Sequence, residues 1–135
     1  MILSRACENA LRAVIYLAGK PKNSGYTSVK EIAEQNDISF HFLGKILQKL
    51  TQRGLLNSYK GPHGGVSLAK PATEIRVIDI VEAIDGIEFL NRCVVGMPIC
   101  DDKNPCALHH KWMKIRNDIY RLFTHHTIHD LIEPD

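Results

Sequence analysis

Between Ser28 and Ala69 the chain carries two closely spaced helix signatures followed at once by a hairpin with a glycine-rich tip, an order that few folds accommodate. Ser28 stands three residues before Glu31, the spacing at which a hydroxyl and a carboxylate cap a helix reciprocally. Ile32 and Ala33 follow before Asn36-Asp37 break the segment. Ser39 then opens a second signature, with Phe42, Leu43, Ile46, Leu47 and Leu50 on one face and His41, Lys45, Gln48, Lys49, Gln52 and Arg53 on the others, and Gly54 stops it. Beyond lie two strand-like runs, Leu55-Leu56-Asn57-Ser58-Tyr59 and Val66-Ser67-Leu68-Ala69, joined by Lys60-Gly61-Pro62-His63-Gly64-Gly65. Two short helices and a hairpin in this order predict a winged helix-turn-helix, mostly α with a small β-hairpin.

That unit has the chemistry of a duplex-DNA reader. A helix with a polar, basic outer face can enter a major groove, and a glycine-rich tip lets cations and backbone approach phosphates or a minor groove. The candidate DNA contacts are Ser39, Phe40, His41, Lys45, Gln48, Lys49 and Arg53 on the second helix, with Lys60, Pro62, His63 and Gly64 in the tip. Any amphipathic helix has a solvated face and any hairpin has a turn; it is their succession that favours DNA. Charge points the same way. Residues 1–70 hold ten Lys and Arg against four Asp and Glu, whereas residues 71–135 hold seven against eleven, so a head of charge +6 is joined to a remainder of −4. Phosphate neutralisation needs clustered cations, and the acidic remainder suits an assembly region.

The flanks complete a domain plan. Cys7, Ala10, Leu11, Val14, Leu17 and Ala18 space a first helix over residues 4–19, ended by Gly19 and Pro21. Pro71 to Glu74 mark a boundary, after which Val77, Ile80, Val81 and Ile84 pattern a helix stopped by Gly86 that would brace the head. From about residue 106 to 126, Leu108, Trp112, Ile115, Ile119 and Leu122 step by 4, 3, 4 and 3, widened by Met113 and Phe123. Such a helix runs roughly 30 Å, too long for a small head to cover, so a second copy of the chain is its expected partner; an intramolecular core helix is the alternative. The expected organisation is therefore a winged-helix head (1–71), a bracing helix and connector (72–92), a cysteine-rich sensor loop (93–106) and a long C-terminal dimerisation helix with tail (107–135).

Other classes fall away. No apolar run approaches the roughly 20 residues a membrane span needs, and Arg5 and Glu8 interrupt the N-terminal apolar stretch, so a cytoplasmic protein without membrane contact is expected. No nucleophile, base and orienting group assemble into an enzyme motif, and no phosphate-cradling loop precedes a helix.

Cys93, Cys100 and Cys106 fall within fourteen residues in the pattern C-x6-C-x5-C, with His109 three residues beyond. Thiolates this dense in a reducing compartment suit zinc or an iron–sulfur cluster better than disulfides; metal-free structural or redox thiols are the alternative. A fourth ligand would come from Glu8, His109 or an exogenous group. Cys7 reads as a small apolar residue of the first helix.

Taken together, Ala10-Leu11-Arg12, Ile32-Ala33, Ile38-Ser39, Leu43, Leu47, Leu50, Gly54-Leu55, Gly61-Pro62-His63-Gly64-Gly65, Ile80-Val81-Glu82-Ala83-Ile84 and the three late cysteines resemble the IscR/NsrR-type family of bacterial winged-helix transcriptional regulators. The resemblance spans almost the whole chain. It implies a homodimer, in the repressor mould, on a pseudo-palindromic double-stranded DNA operator, with a 2Fe-2S or 4Fe-4S cluster whose state changes DNA affinity. In that frame Cys93, Cys100 and Cys106 match cluster ligands, Glu8 matches an acidic ligand of the nitric-oxide-sensing members, supplied across the dimer, and His109 matches a histidine ligand of the cluster-regulating member. Three positions depart from it: the first cysteine spacing is x6 where x5 is usual, Gly44 replaces a glutamate that reads bases, and Arg12 replaces a histidine ligand of another branch. Two further readings are a metal-free regulator that senses through thiols or a protein partner, and an iron–sulfur carrier, for which the basic head has no use.

Overall fold

The computed structural model describes residues 2–99 and 101–132. Among them the order is α1 (Arg5–Ala18), α2 (Val29–Asn36), α3 (Phe40–Gln52), β1 (Leu56–Tyr59), β2 (Gly65–Leu68), a 3-10 turn (Ala72–Glu74), α4 (Val77–Ile84), a second such turn (Glu88–Leu90), α5 (His109–Thr124) and α6 (Ile128–Ile132). Serine side chains cap the starts of α1 and α2. Ser4 Oγ accepts the Cys7 N–H at 3.0 Å, and Ser28 Oγ accepts the Glu31 N–H at 3.1 Å. Asp37 ends α2 in the left-handed region at φ 54°, a conformation a short polar side chain tolerates. Ser39 occupies the N-cap of α3 but makes no capping bond, so its place there rests on backbone conformation alone.

β1 and β2 pair antiparallel, Leu56 opposite Leu68 and Tyr59 opposite Gly65. A third stretch joins them: Thr27 and Val66 exchange N–H···O bonds of 2.9 Å in both directions, so the residue preceding the α2 cap is stitched to β2, which lies between it and β1. Leu56 and Val66 turn into the core while Asn57 and Tyr59 face solvent.

The main core collects Ala10, Val14, Ile32, Leu43, Leu47, Leu50, Leu56, Ile75, Ile80 and Ile128 from α1 to α4, the hairpin and α6. Each large aliphatic side chain buried there contributes about 1.5–3 kcal/mol. A second cluster of Cys7, Val77, Ile78, Val81 and Phe123 ties α1 and α4 to α5. At its edge Asp85, just past α4, accepts the Ser4 N–H at 2.9 Å and also the Ser4 hydroxyl, pinning the start of α1.

The C-terminal helix is shorter than its sequence pattern suggests. Its 16 residues begin at His109, after a turn in which the His109 N–H bonds to the Cys106 carbonyl at 3.1 Å, and end at Thr124, a length of about 24 Å. Of the apolar seam, Ile119 and Trp112 are half-buried, whereas Leu108, Ile115 and Leu122 are 46, 54 and 55% exposed. After it α6 folds back on α1, with the Val77 N–H bonded to the His126 carbonyl and the Ile128 N–H to the Ile75 carbonyl. No helix among the described residues is long and apolar enough to cross a membrane.

Candidate DNA interface and cysteine loop

Burying Leu43, Ile46, Leu47 and Leu50 fixes which side of α3 faces outward. Ser39, Phe40, His41, Lys45, Gln48, Lys49 and Arg53 are all exposed there, with Phe40 at 55% and its ring edge-on to His41 at 5.9 Å. Lys60, Pro62 and His63 are exposed at the hairpin tip, and Gly64 is half-exposed, its N–H bonded to the Gly61 carbonyl at 3.0 Å. α3 packs on β1, so the outer helix face and the tip belong to one continuous unit. Sequence reasoning missed Tyr26, which stacks on Tyr59 at a centroid distance of 5.4 Å on the solvent face of the hairpin. The signal was present in the alternation that turns Leu56 inward and Tyr59 outward. What it could not reveal was that Thr27 would bring Tyr26 alongside.

The cysteine loop lies at the α5 end. Cys93 and Cys106 place their Sγ atoms 3.5 Å apart, well beyond the roughly 2.05 Å of a disulfide bond. Two thiolates on one tetrahedral metal, with bonds near 2.3 Å, stand about 3.8 Å apart, so this pair has the softness and the spacing that zinc or iron takes. Cys100 lies outside the described residues. His109 is buried, with Nε2 3.1 Å from Asp102 Oδ1 and its ring edge-on to His110. Among the described residues no three Cys, His, Asp or Glu side chains converge as a metal site. Glu8 is exposed on the first turn of α1, in a shallow cleft it shares with Arg5, Asn9, Leu11 and Arg12. The neighbouring Cys7 is fully buried; that burial, with the carboxylates of Asp85 and Glu8, pushes its thiol up to about 12, and it serves as core. Trp112 closes the loop from the helix side, its Nε1–H donating to the Arg92 carbonyl at 2.8 Å.

A family model, Rrf2, described as an iron-dependent transcriptional regulator, matches residues 3–134. The chain belongs to the Rrf2 family. Its relatives include a protein of Aquifex aeolicus assigned to the HTH-type transcriptional regulators, 37% identical over 98% of this chain and 92% of that protein. Among solved structures, CymR, the global cysteine regulator of B. subtilis, superposes with a TM-score of 0.80 at 28% identity over 98% of this chain and 96% of its own. IscR of T. potens shares the fold, with a TM-score of 0.77 at 23% identity over 98% of this chain and 86% of its own.

This Rrf2 protein is thus a winged-helix, DNA-binding transcriptional regulator. The family assignment accounts for the order of elements from α1 to β2, the exposed basic face of α3 and the hairpin that follows.

Proposed function

We propose that this protein is a homodimeric operator-binding regulator, acting as a repressor, whose DNA affinity is switched at the Cys93, Cys100 and Cys106 loop. The observation that carries the reading is the 3.5 Å approach of Cys93 and Cys106 at the start of the helix whose apolar seam faces solvent. In this reading residues 1–71 carry the DNA-binding head, 93–106 the sensor and α5 the dimer arm, while α6 packs back onto the head. An exposed row of Leu108, Ile115 and Leu122 suits a second copy of the same helix. An iron–sulfur cluster, when bound, supplies chemistry sensitive to oxidant and nitric oxide. Cys93, Cys100 and Cys106 would hold it, and the partner's Glu8 would complete its ligand set.

Two features favour Glu8 over His109 in that role. His109 is buried against Asp102, while Glu8 is exposed on the helical turn that Ser4 and Asp85 pin to the end of α4, from which the cysteine loop departs. A carboxylate is a weaker ligand to a cluster than a thiolate and is released first, so loss of that contact would change how two heads are held. Only about 1.4 kcal/mol between the two arrangements changes operator affinity tenfold. A second reading, direct oxidation of the loop thiols without metal, is favoured by the same close pair and by likeness to a regulator named for cysteine.

Anaerobic purification with iron counting and visible spectra separates the two. The cluster reading expects charge-transfer absorption that is lost in Cys93→Ala, Cys100→Ala and Cys106→Ala and made oxygen-labile in Glu8→Ala. Iron binding that survives any one of the cysteine changes overturns it. Colourless, iron-free protein whose operator affinity still responds to a thiol oxidant supports the second reading. A spectrum unchanged in Glu8→Ala but lost in His109→Ala would reverse the ligand assignment.

A further inference from the structure

The centre of the exposed face of α3 holds a glycine that nothing inside the chain requires. Gly44 sits in the helix interior outside the left-handed region, and a Cβ built on it would meet no atom of the described residues within 4 Å. Glycine is the poorest helix former after proline, so both backbone entropy and open space favour alanine here. The contrast with Gly65 is sharp: there the Cβ position lies 2.0 Å from the Thr27 carbonyl oxygen, an intramolecular reason that Gly44 lacks. Around Gly44 stand Phe40 and His41 one turn before, Lys45 beside it and Gln48 one turn after, all exposed. The gap therefore lies in the middle of the surface that would meet DNA.

We propose that Gly44 is a specificity-determining notch through which the α3 backbone comes against a base-pair edge more closely than any side chain allows. This rests on α3 being the DNA-reading helix. His41 and Gln48 flank the notch with hydrogen-bonding groups, while the notch itself offers only Cα and carbonyl surface. A base pair facing it is selected by fit: the C5-methyl group of thymine fills the space, and cytosine, lacking that methyl, leaves it empty.

The test selects an operator with the wild-type dimer from a pool of random duplexes, then measures Gly44→Ala and Gly44→Leu on it. The operator is also remade with uracil replacing each thymine in turn, which removes one methyl at a time. Gly44→Ala is expected to unfold at a higher temperature, because alanine is the better helix former, yet to bind at least about tenfold more weakly, with Gly44→Leu weaker still. Uracil at one position should weaken the wild type roughly three- to tenfold and leave Gly44→Ala indifferent. Gly44→Ala that is stabilised but binds the operator as tightly as wild type overturns the notch. If the wild type itself selects no sequence, the DNA-reading role fails first and the notch falls with it, an outcome visible before any variant is compared.

Discussion

Replacing Gly65 by alanine tests how the wing is held to the helix-turn-helix. At φ 152° the residue lies in a region that L side chains rarely adopt, and the added Cβ would fall 2.0 Å from the Thr27 carbonyl oxygen, 2.4 Å from its carbon and 2.9 Å from the Ser28 nitrogen. All three are backbone atoms and none can rotate away. Relief requires the Thr27–Val66 bridge to open, losing two hydrogen bonds of 2.9 Å at about 0.5–1.5 kcal/mol each. Backbone strain adds about 1–3 kcal/mol, so a loss of roughly 2–6 kcal/mol is expected. Gly61→Ala is the control: its φ is 129°, but the nearest atom to the new Cβ is a Tyr59 ring carbon at 3.8 Å, so it carries strain without the clash. Urea unfolding of the two variants, read by far-UV circular dichroism, isolates the bridge as the difference between them. Operator binding by Gly65→Ala should fall further than its stability alone predicts, because Tyr26 and Tyr59 lose their common support. Equal destabilisation of the two variants would refute the argument.

Ile115→Asp should dissociate the dimer while sparing the protomer, because Ile115 is 54% exposed within one chain whereas Ile119 packs on the second core cluster. An unpaired charge buried in a seam costs about 3–5 kcal/mol, which weakens self-association by more than about a hundredfold. Sedimentation that still shows a dimer would place the interface elsewhere. Glu31 accepts hydrogen bonds of 2.6 Å from both the Tyr16 hydroxyl and Lys20 Nζ, which hold its carboxyl below the ordinary 4.5. A depressed carboxyl pKa stabilises the fold above the unfolded value and loses that contribution as pH falls through the folded one. Wild type should therefore lose urea resistance on acidification below about pH 5 more steeply than Glu31→Gln, and parallel curves would remove Glu31 as a contributor.

The periodicity of the chain was enough to find α1 to α4 and the hairpin within a residue or two, because each is bounded by local chemistry: Ser4 and Ser28 as caps, Gly19, Asp37, Gly54 and Gly86 as stops. It misjudged the start of α5. The expected helix begins near residue 106, but the turn closed on the Cys106 carbonyl delays it to His109. It gave no sign of α6, whose five residues are too few to show a period and are held by Ile128 in the main core.

Local sequence determined which side of α3 is wet through the spacing of Leu43, Ile46, Leu47 and Leu50, although Phe42, expected on the same apolar face, is 40% exposed. Tertiary structure alone decided the contacts between residues far apart along the chain. Thr27 meets Val66, Tyr26 meets Tyr59, Ser4 meets Asp85, and Cys93 comes within 3.5 Å of Cys106. Each such pair closes a loop of thirteen to eighty-one residues, and no local signal encodes a closure that only the burial of a shared core makes favourable.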